Sequence, residues 1–448
     1  MYDLVEELFP VCRSITGEGL RWTLRRIGEE IPLVVHEIPT GTEVFDWVVP
    51  EEWNIRDAYV RNARGEKVID FARSNLHVLN YSVPVRRTMP LEELRPHLHT
   101  VPEHPDWIPY RTSYYRESWG FCLTHNQLEG LEDGDYEVRI DSTLEPGSLS
   151  YGECVVPGET DEEVLISCHS CHPSLANDNL SGIAVAVALA KHLGDLESRR
   201  YTYRFLFIPG TIGSITWLAR NREATQRIRH GLVLSCLGDA GSSTYKRSRR
   251  GDALIDRAVE HVLRHSDEDS EIEDFIPYGY DERQYCSPGF DLPVGCLMRT
   301  PNGRYPQYHT SADDLDLVRP DALADSLAKC RAVVEILEND EVFLNQNQYC
   351  EPQLGKRGLY RGMGGNAELP GFEMALLWLL NLSDGRNGLF DIAERAGLPF
   401  RVILQAAEAL RSVDLLHPAE REATVRAERL DSPVHGSDDS AVCSAIMG

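Results

Sequence analysis

The sequence predicts an α/β fold: a three-layer sheet, a mostly β segment inserted near its start, and a winged-helix-like unit after it. Three observations carry this. Between about residues 126 and 340 short apolar runs alternate with stretches of helical character; residues 41–125 shift to tryptophans, tyrosines and β-branched residues broken by Pro, Asn and Gly; and three short helical stretches follow residue 350.

In chain order, residues 1–40 open the main unit. Arg13 to Glu30 fits a helix entered at Thr16 and Gly17 and ended by Pro32. The β-rich insert contains Trp47 to Pro50, Ala58 to Val60, Lys67 to Phe71 and His77 to Tyr81. Its aromatic groups, Tyr110 to Tyr115 and Trp119 to Phe121, read either as a wall over a site or as the core of a small β domain. The main unit resumes with Tyr136 to Asp141, whose mixed polarity suggests an antiparallel edge strand. Strands are then expected at Val164 to Ser167, Tyr203 to Ile208, Leu232 to Cys236 and Val294 to Met298, and helices at Ile183 to Leu193, Ile215 to Arg220, Leu254 to His265 and Ala322 to Leu337. After a linker at Asn345 to Gln348, residues 350–420 offer helices at Gly371 to Leu382, Leu389 to Ala396 and Phe400 to Val413. This unit carries a small acidic excess, which favours protein contact or dimerisation over DNA binding. Residues 421–448, acidic and Ser-rich, read as a flexible tail.

A length of 448 residues allows two to three domains, and 42% hydrophobic residues suffice for packed cores. The formal net charge of -26 argues against nucleic acid and against an anionic membrane as partners. No run of about 20 apolar residues occurs, and Met1 to Ser14 carries acids where a signal peptide would be basic and then apolar. The 11 cysteines, an odd number and scattered, read as reduced thiols of a cytoplasmic protein.

The chemistry concentrates between Ser167 and Gly182, where His169, His172 and Asp178 fall in a loop between an apolar strand and an apolar helix. Open α/β sheets place ligands at the carboxyl ends of their strands. Imidazole nitrogen and carboxylate oxygen suit zinc, and a catalytic zinc takes about three protein ligands and leaves one position open. The distant partner is His309 in Tyr308 to Asp314, which follows the Val294 to Met298 run; its acidic neighbours matter because a ligand imidazole usually donates its second nitrogen to a carboxylate or carbonyl. Cys168 and Cys171 form a C-x-x-C pair that reads alternatively as redox-active or as half of a structural zinc site, but the chain has no second such pair.

Cys12 to Gly17, Val44 to Pro50, the His172-Pro173 to Gly182 block, Pro209 to Ser214 and His309-Thr310-Ser311 together carry a resemblance over nearly the whole length. The chain resembles bacterial aminopeptidase-like proteins associated with polysaccharide biosynthesis, relatives of the co-catalytic zinc exopeptidases and glutaminyl cyclases. That resemblance implies a zinc-exopeptidase-like catalytic domain over residues 1–40 and 126–340, interrupted by a β domain over 41–125 that overhangs the site or forms a homo-oligomer contact. It implies one or two zinc ions, held by His172 or His169, by Asp178 as the bridging carboxylate, and by His309. Strand register favours His169, the His-Pro pair of the narrower family favours His172, and His172 is ranked first. A further acidic ligand is expected at a later strand end, where Asp239 stands.

One departure matters. The exopeptidases carry a catalytic glutamate in the loop where this chain has Pro209-Gly210-Thr211. Asp281 and Glu282 are the candidate replacements, with Arg283, Tyr285 and Tyr308 as candidate substrate-binding residues. The implied activity is zinc-dependent hydrolysis of a small peptide or amide; an amide-processing or cyclase-type enzyme and a catalytically silent metal-binding scaffold stay open beside it.

Overall fold

The computed structural model describes residues 1–266, 269–359 and 370–419; the tail expected from residue 421 lies outside them. The strand Glu163–His169, buried at every residue, forms the middle of an eight-stranded mixed sheet. It pairs in parallel with Thr202–Ile208 and with Ile228–Leu234, which in turn pairs in parallel with Val294–Met298. Ser148–Val156 and Val34–Pro39 extend one side antiparallel, and Thr244–Lys246 and Glu271–Glu273 complete the other.

A central strand covered on both faces must be apolar at successive positions, and its alternate residues serve different layers. Val164, Ile166 and Cys168 pack with the helices Gly182–Asp195, Leu254–Arg264 and Pro320–Asn339 on one face. Leu165 faces the other layer, with Trp217 of the helix Ile212–Arg220. Each such fully buried Val, Ile, Leu or Phe contributes roughly 1.5–3 kcal/mol. Gly182 is required where its helix meets the sheet, since a Cβ there would stand 2.6 Å from the Leu234 carbonyl oxygen and 2.4 Å from Asn179 Oδ1.

The insert is built on an antiparallel sheet ordered Lys67–Asp70, Glu52–Arg61, Asp135–Glu145, Val85–Pro90. This corrects the edge-strand expectation for residues 136–141. That stretch is a central strand of the insert, with Tyr136, Val138 and Ile140 buried in its core, and the main-sheet edge falls to Val34–Pro39.

At the other end, helices Phe372–Leu382, Leu389–Ala396 and Phe400–Arg411 join a three-stranded sheet ordered Asp384–Gly388, Val342–Asn345, Leu416–Pro418. The winged helix therefore begins earlier than its helices suggest, because Asn345, read as linker, is buried in the middle strand and donates through Nδ2 to the Leu380 carbonyl at 2.7 Å. The unit is joined to the eight-stranded domain by His261. Its Nε2 accepts from the Phe400 amide at 3.0 Å, so its Nδ1 carries the proton donated to Glu394 at 2.5 Å. Among the described residues no helix is long and apolar enough to cross a membrane.

Candidate metal centre

Glu163–His169 ends on His169, and the turn that follows returns His172 and Asp178 to the same end of the sheet. His309 reaches them from a loop beyond Val294–Met298, with its backbone in the left-handed region at φ 55°. His169 Nε2 lies 2.8 Å from Asp178 Oδ1; His309 Nε2 and His172 Nε2 lie 3.0 and 3.6 Å from Asp178 Oδ2. Three imidazoles thus converge on one carboxylate that is only 1% exposed.

Asp178 Oδ2, His309 Nε2 and His169 Nδ1 are buried without a hydrogen-bond partner. Leaving such atoms unsatisfied costs about 1–3 kcal/mol each, and the approach of the first two to 3.0 Å fits the donor set of a divalent cation, whose nitrogen and oxygen ligands at about 2.0–2.2 Å stand a little over 3 Å from one another. Burial works to raise the Asp178 carboxyl, but His172 and His169 outweigh it and hold the group well below the ordinary range. Burial, opposed by Asp178 and reinforced by His169 and His309, drives His172 well below its ordinary value. An ionised carboxylate beside neutral imidazole is the protonation state a metal takes without first displacing protons.

A second layer fixes the turn. Asp313 accepts from the amides of Asn177 and Asp178 at 2.6 and 3.1 Å, and burial followed by the charge of Asp178 pushes its own carboxyl up to about 8. Arg13, buried, donates from Nε to the His172 carbonyl and from Nη1 to the Leu8 carbonyl, both at 2.7 Å. This gives the Cys12 to Gly17 motif a physical role: it ties the ligand loop to the N-terminal helix. Asn179 bridges to the next strand, donating to the Leu234 carbonyl at 2.9 Å and accepting from the Cys236 amide at 3.1 Å. The insert reaches the same place, because the Tyr110 amide donates to the His309 carbonyl at 2.7 Å and the Tyr110 ring packs 5.0 Å from that of His172 and 5.1 Å from that of His309.

The structure therefore brings His169, His172, Asp178 and His309 together, with both histidines against the same carboxylate. Asp239 does not join them. Its oxygens accept from Asn177 Nδ2, from the Thr300 amide and hydroxyl, and from the Gly241 amide, so it braces the turns around the site. Glu282 is likewise committed elsewhere, to Lys246 and the Tyr280 amide. Tyr285 is corrected from candidate substrate-binding residue to core: it is fully buried, and its hydroxyl meets Ser167 Oγ at 2.9 Å. Arg283 is half-buried. Tyr308 stacks on His309 at 3.9 Å between centroids, which puts it at the centre. Asp281 is buried, accepts from Ser214 Oγ at 2.7 Å, keeps Oδ2 unpartnered, and is pushed up to about 7 by burial.

Two neighbours escaped the sequence reading. Tyr280 packs against His169 with the rings tilted and their centroids 3.8 Å apart, and lies so close to Gly210 that a Cβ there would be 2.0 Å from its ring. Cys236 lies two residues beyond Ile228–Leu234, the strand at whose end an acidic ligand was sought, with Sγ 4.0 Å from Asp178 Oδ1. The signal for Tyr280 was the glycine opposite it; Cys236 gave none, since a thiol after an apolar run reads as core.

Comparison with known proteins agrees with this architecture. A family model described as a domain of unknown function (DUF4910) matches residues 2–340, and a winged helix-turn-helix model matches residues 341–418. A Clostridium acetobutylicum protein, provisionally named a polysaccharide biosynthesis protein with aminopeptidase-like domain, is 56% identical over 93% of this chain and 95% of its own. A crystal structure from Clostridium acetobutylicum, provisionally named a peptidase, is 54% identical with a TM-score of 0.88 over 93% of this chain and 95% of that one. A zinc aminopeptidase from Bacillus subtilis shares the fold at 11% identity, with a TM-score of 0.56 over 75% of this chain and 93% of that one. With an aminopeptidase-like fold, an inserted β sheet and a terminal winged helix, the chain belongs to the DUF4910 family.

Proposed function

We propose that this protein is a zinc-dependent hydrolase of aminopeptidase type acting on an amide bond of a small peptide or related substrate. The observation that carries the reading is the unpartnered Oδ2 of Asp178, buried between His309 Nε2 at 3.0 Å and His172 Nε2 at 3.6 Å. Those three residues would hold the ion, with His169 orienting the carboxylate through Oδ1. When bound, zinc supplies Lewis-acid polarisation of a carbonyl and lowers the pKa of its water.

The chain's own residues do the rest. Asp281 is the proton acceptor in this reading, because Glu282 is neutralised by Lys246 whereas Asp281 has a free oxygen and changes charge near neutral pH, where a general base works best. Tyr308 and Tyr110 flank His309 and hold its ring in place, stacked on one side and edge-on at the other. The winged helix, docked through acidic Glu394 and Asp391 on His261 and Arg257, is assigned to protein contact.

One observation favours a second reading, an amide-processing enzyme acting on a sugar-linked amide in polysaccharide assembly, the context named for the Clostridium acetobutylicum relative. In the resemblance the exopeptidase glutamate belongs in the Pro209-Gly210-Thr211 loop, and here the space beside Gly210 is filled by Tyr280. Metal analysis with parallel assays on aminoacyl anilides and N-acyl amino sugars separates the two, and His309→Ala should abolish whichever activity is found. A protein that carries no zinc after purification and reloading would remove both.

A further inference from the structure

The two oxygens of Asp178 face different partners. Oδ2 faces His172 and His309, while Oδ1 faces His169 at 2.8 Å and Cys236 Sγ at 4.0 Å. We infer that Cys236 is a thiolate ligand and that His169, Cys236 and Asp178 Oδ1 form a second metal half-site, sharing Asp178 with the first. The inference rests on the metal-centre reading above and adds to it a sulfur donor and a second ion of the borderline class that takes sulfur, nitrogen and oxygen together.

Three features point to it. Cys236 is fully buried at the carboxyl end of Ile228–Leu234, the strand paired beside Glu163–His169, so the two strand ends present Sγ and His169 Nε2 to the same carboxylate oxygen. Its backbone sits in the left-handed region at φ 51°, as that of His309 does at φ 55°, a conformation uncommon for residues other than glycine. Its position is fixed from both sides, by its amide on Asn179 Oδ1 at 3.1 Å and by the Arg299 amide on its carbonyl at 2.9 Å. With a metal–sulfur bond of about 2.3 Å, sulfur and oxygen ligands of one tetrahedral ion stand about 3.6 Å apart, against the 4.0 Å observed between Cys236 Sγ and Asp178 Oδ1. The remaining neighbours of Sγ are the hydroxyls of Ser235 at 3.6 Å and Tyr305 at 3.7 Å. Metal binding releases the thiol proton to solvent. The rival state is a buried thiol donating its hydrogen to Asp178.

Cobalt(II) distinguishes these by spectrum rather than by rate. Metal-free full-length protein titrated with cobalt should take up two equivalents and show both visible d–d bands and a near-ultraviolet sulfur-to-cobalt charge-transfer band. Cys236→Ser should lose the charge-transfer band and one equivalent while keeping d–d absorption; Cys236→Asp should regain the equivalent without the band; Cys171→Ser should keep everything. Visible bands without charge transfer in the wild type would overturn the thiolate ligand and leave the first half-site standing, as would a band that survives Cys236→Ser or vanishes in Cys171→Ser. No cobalt absorption at all would overturn both. Should Cys236→Ser fail to fold, the wild-type spectrum decides alone.

Discussion

Glu163 and His169 are the two ends of one buried strand, and each end keeps a carboxylate out of water in a different way. At the amino end Glu163 is fully matched: Arg204 donates to it from Nε at 2.6 Å and from Nη2 at 2.9 Å, and Arg227 from Nε at 2.8 Å. At the carboxyl end Asp178, equally buried, has one oxygen on His169 and the other between two imidazoles, His309 at 3.0 Å and His172 at 3.6 Å, with no guanidinium or ammonium to match its charge. A buried charge costs several kcal/mol unless it is paired. The matched end therefore reads as structure, and the unmatched end as a place completed by something the chain does not itself carry.

The largest effect expected from this contrast is at Asp178. Asp178→Asn keeps the shape and removes the charge, so zinc affinity should fall by more than about 100-fold, beyond the loss seen for outer-shell partners, and hydrolysis should go with it. The metal-free variant should melt no lower than the metal-free wild type. Zinc retained at full stoichiometry after gel filtration would end the contrast.

Next is Asp281. Its replacement by Asn should lower the rate by about 10²–10⁴-fold while leaving zinc content unchanged. Because burial lifts this carboxyl from 3.8 to about 7, the wild-type rate should climb as pH passes through about 7, and the variant should lack that limb. The sign for stability is opposite. The folded chain holds this proton where the unfolded chain has lost it, so the group removes stability as pH rises from 3.8 toward about 7, and Asp281→Asn should abolish that slope in chemical denaturation. An unchanged rate profile would return the proton-transfer role to another group.

The contrast also explains what was legible in the sequence. The strand and both its flanking helices announce themselves because a strand buried on both faces is apolar throughout, and His169, His172 and Asp178 follow it within one turn. His309 was reachable because it too follows an apolar strand. What stayed hidden depends on pairing across the fold. The alternation in Asp135–Glu145 suits any antiparallel strand with one covered face and does not say which sheet it joins. Glu282 looked free because Lys246 lies 36 positions away, and Tyr285 looked like a substrate contact because nothing local reveals Ser167. Cys236 was passed over for Asp239 because a carboxylate was sought, and the thiol three residues earlier resembles any other buried cysteine.

The matched end should respond in the opposite register. Glu163→Ala leaves Arg204 buried without its main partner, although Glu153 still accepts from its Nη1 at 2.6 Å. A loss of about 3–5 kcal/mol of stability is expected, read by denaturant titration, with zinc content per folded molecule unchanged. Loss of zinc before loss of fold would show that the two ends of the strand are not independent.

The smallest effect is expected where the two kinds of site meet, at Arg13, a buried guanidinium that serves the open end. It spans two carbonyls, those of His172 and Leu8, with two separate nitrogens, and burial brings it down to about 10. Arg13→Lys keeps the charge but replaces a planar fork with one ammonium, which cannot reproduce both directions at once. One carbonyl should be left unsatisfied at about 1–3 kcal/mol, and the His172 loop, released from the N-terminal helix, should hold zinc about 10-fold more weakly in chelator competition. A variant that loses stability but binds zinc as the wild type does would confine Arg13 to the fold. One that loses affinity in proportion would make it the member of the second layer through which the Cys12 to Gly17 motif reaches the metal centre.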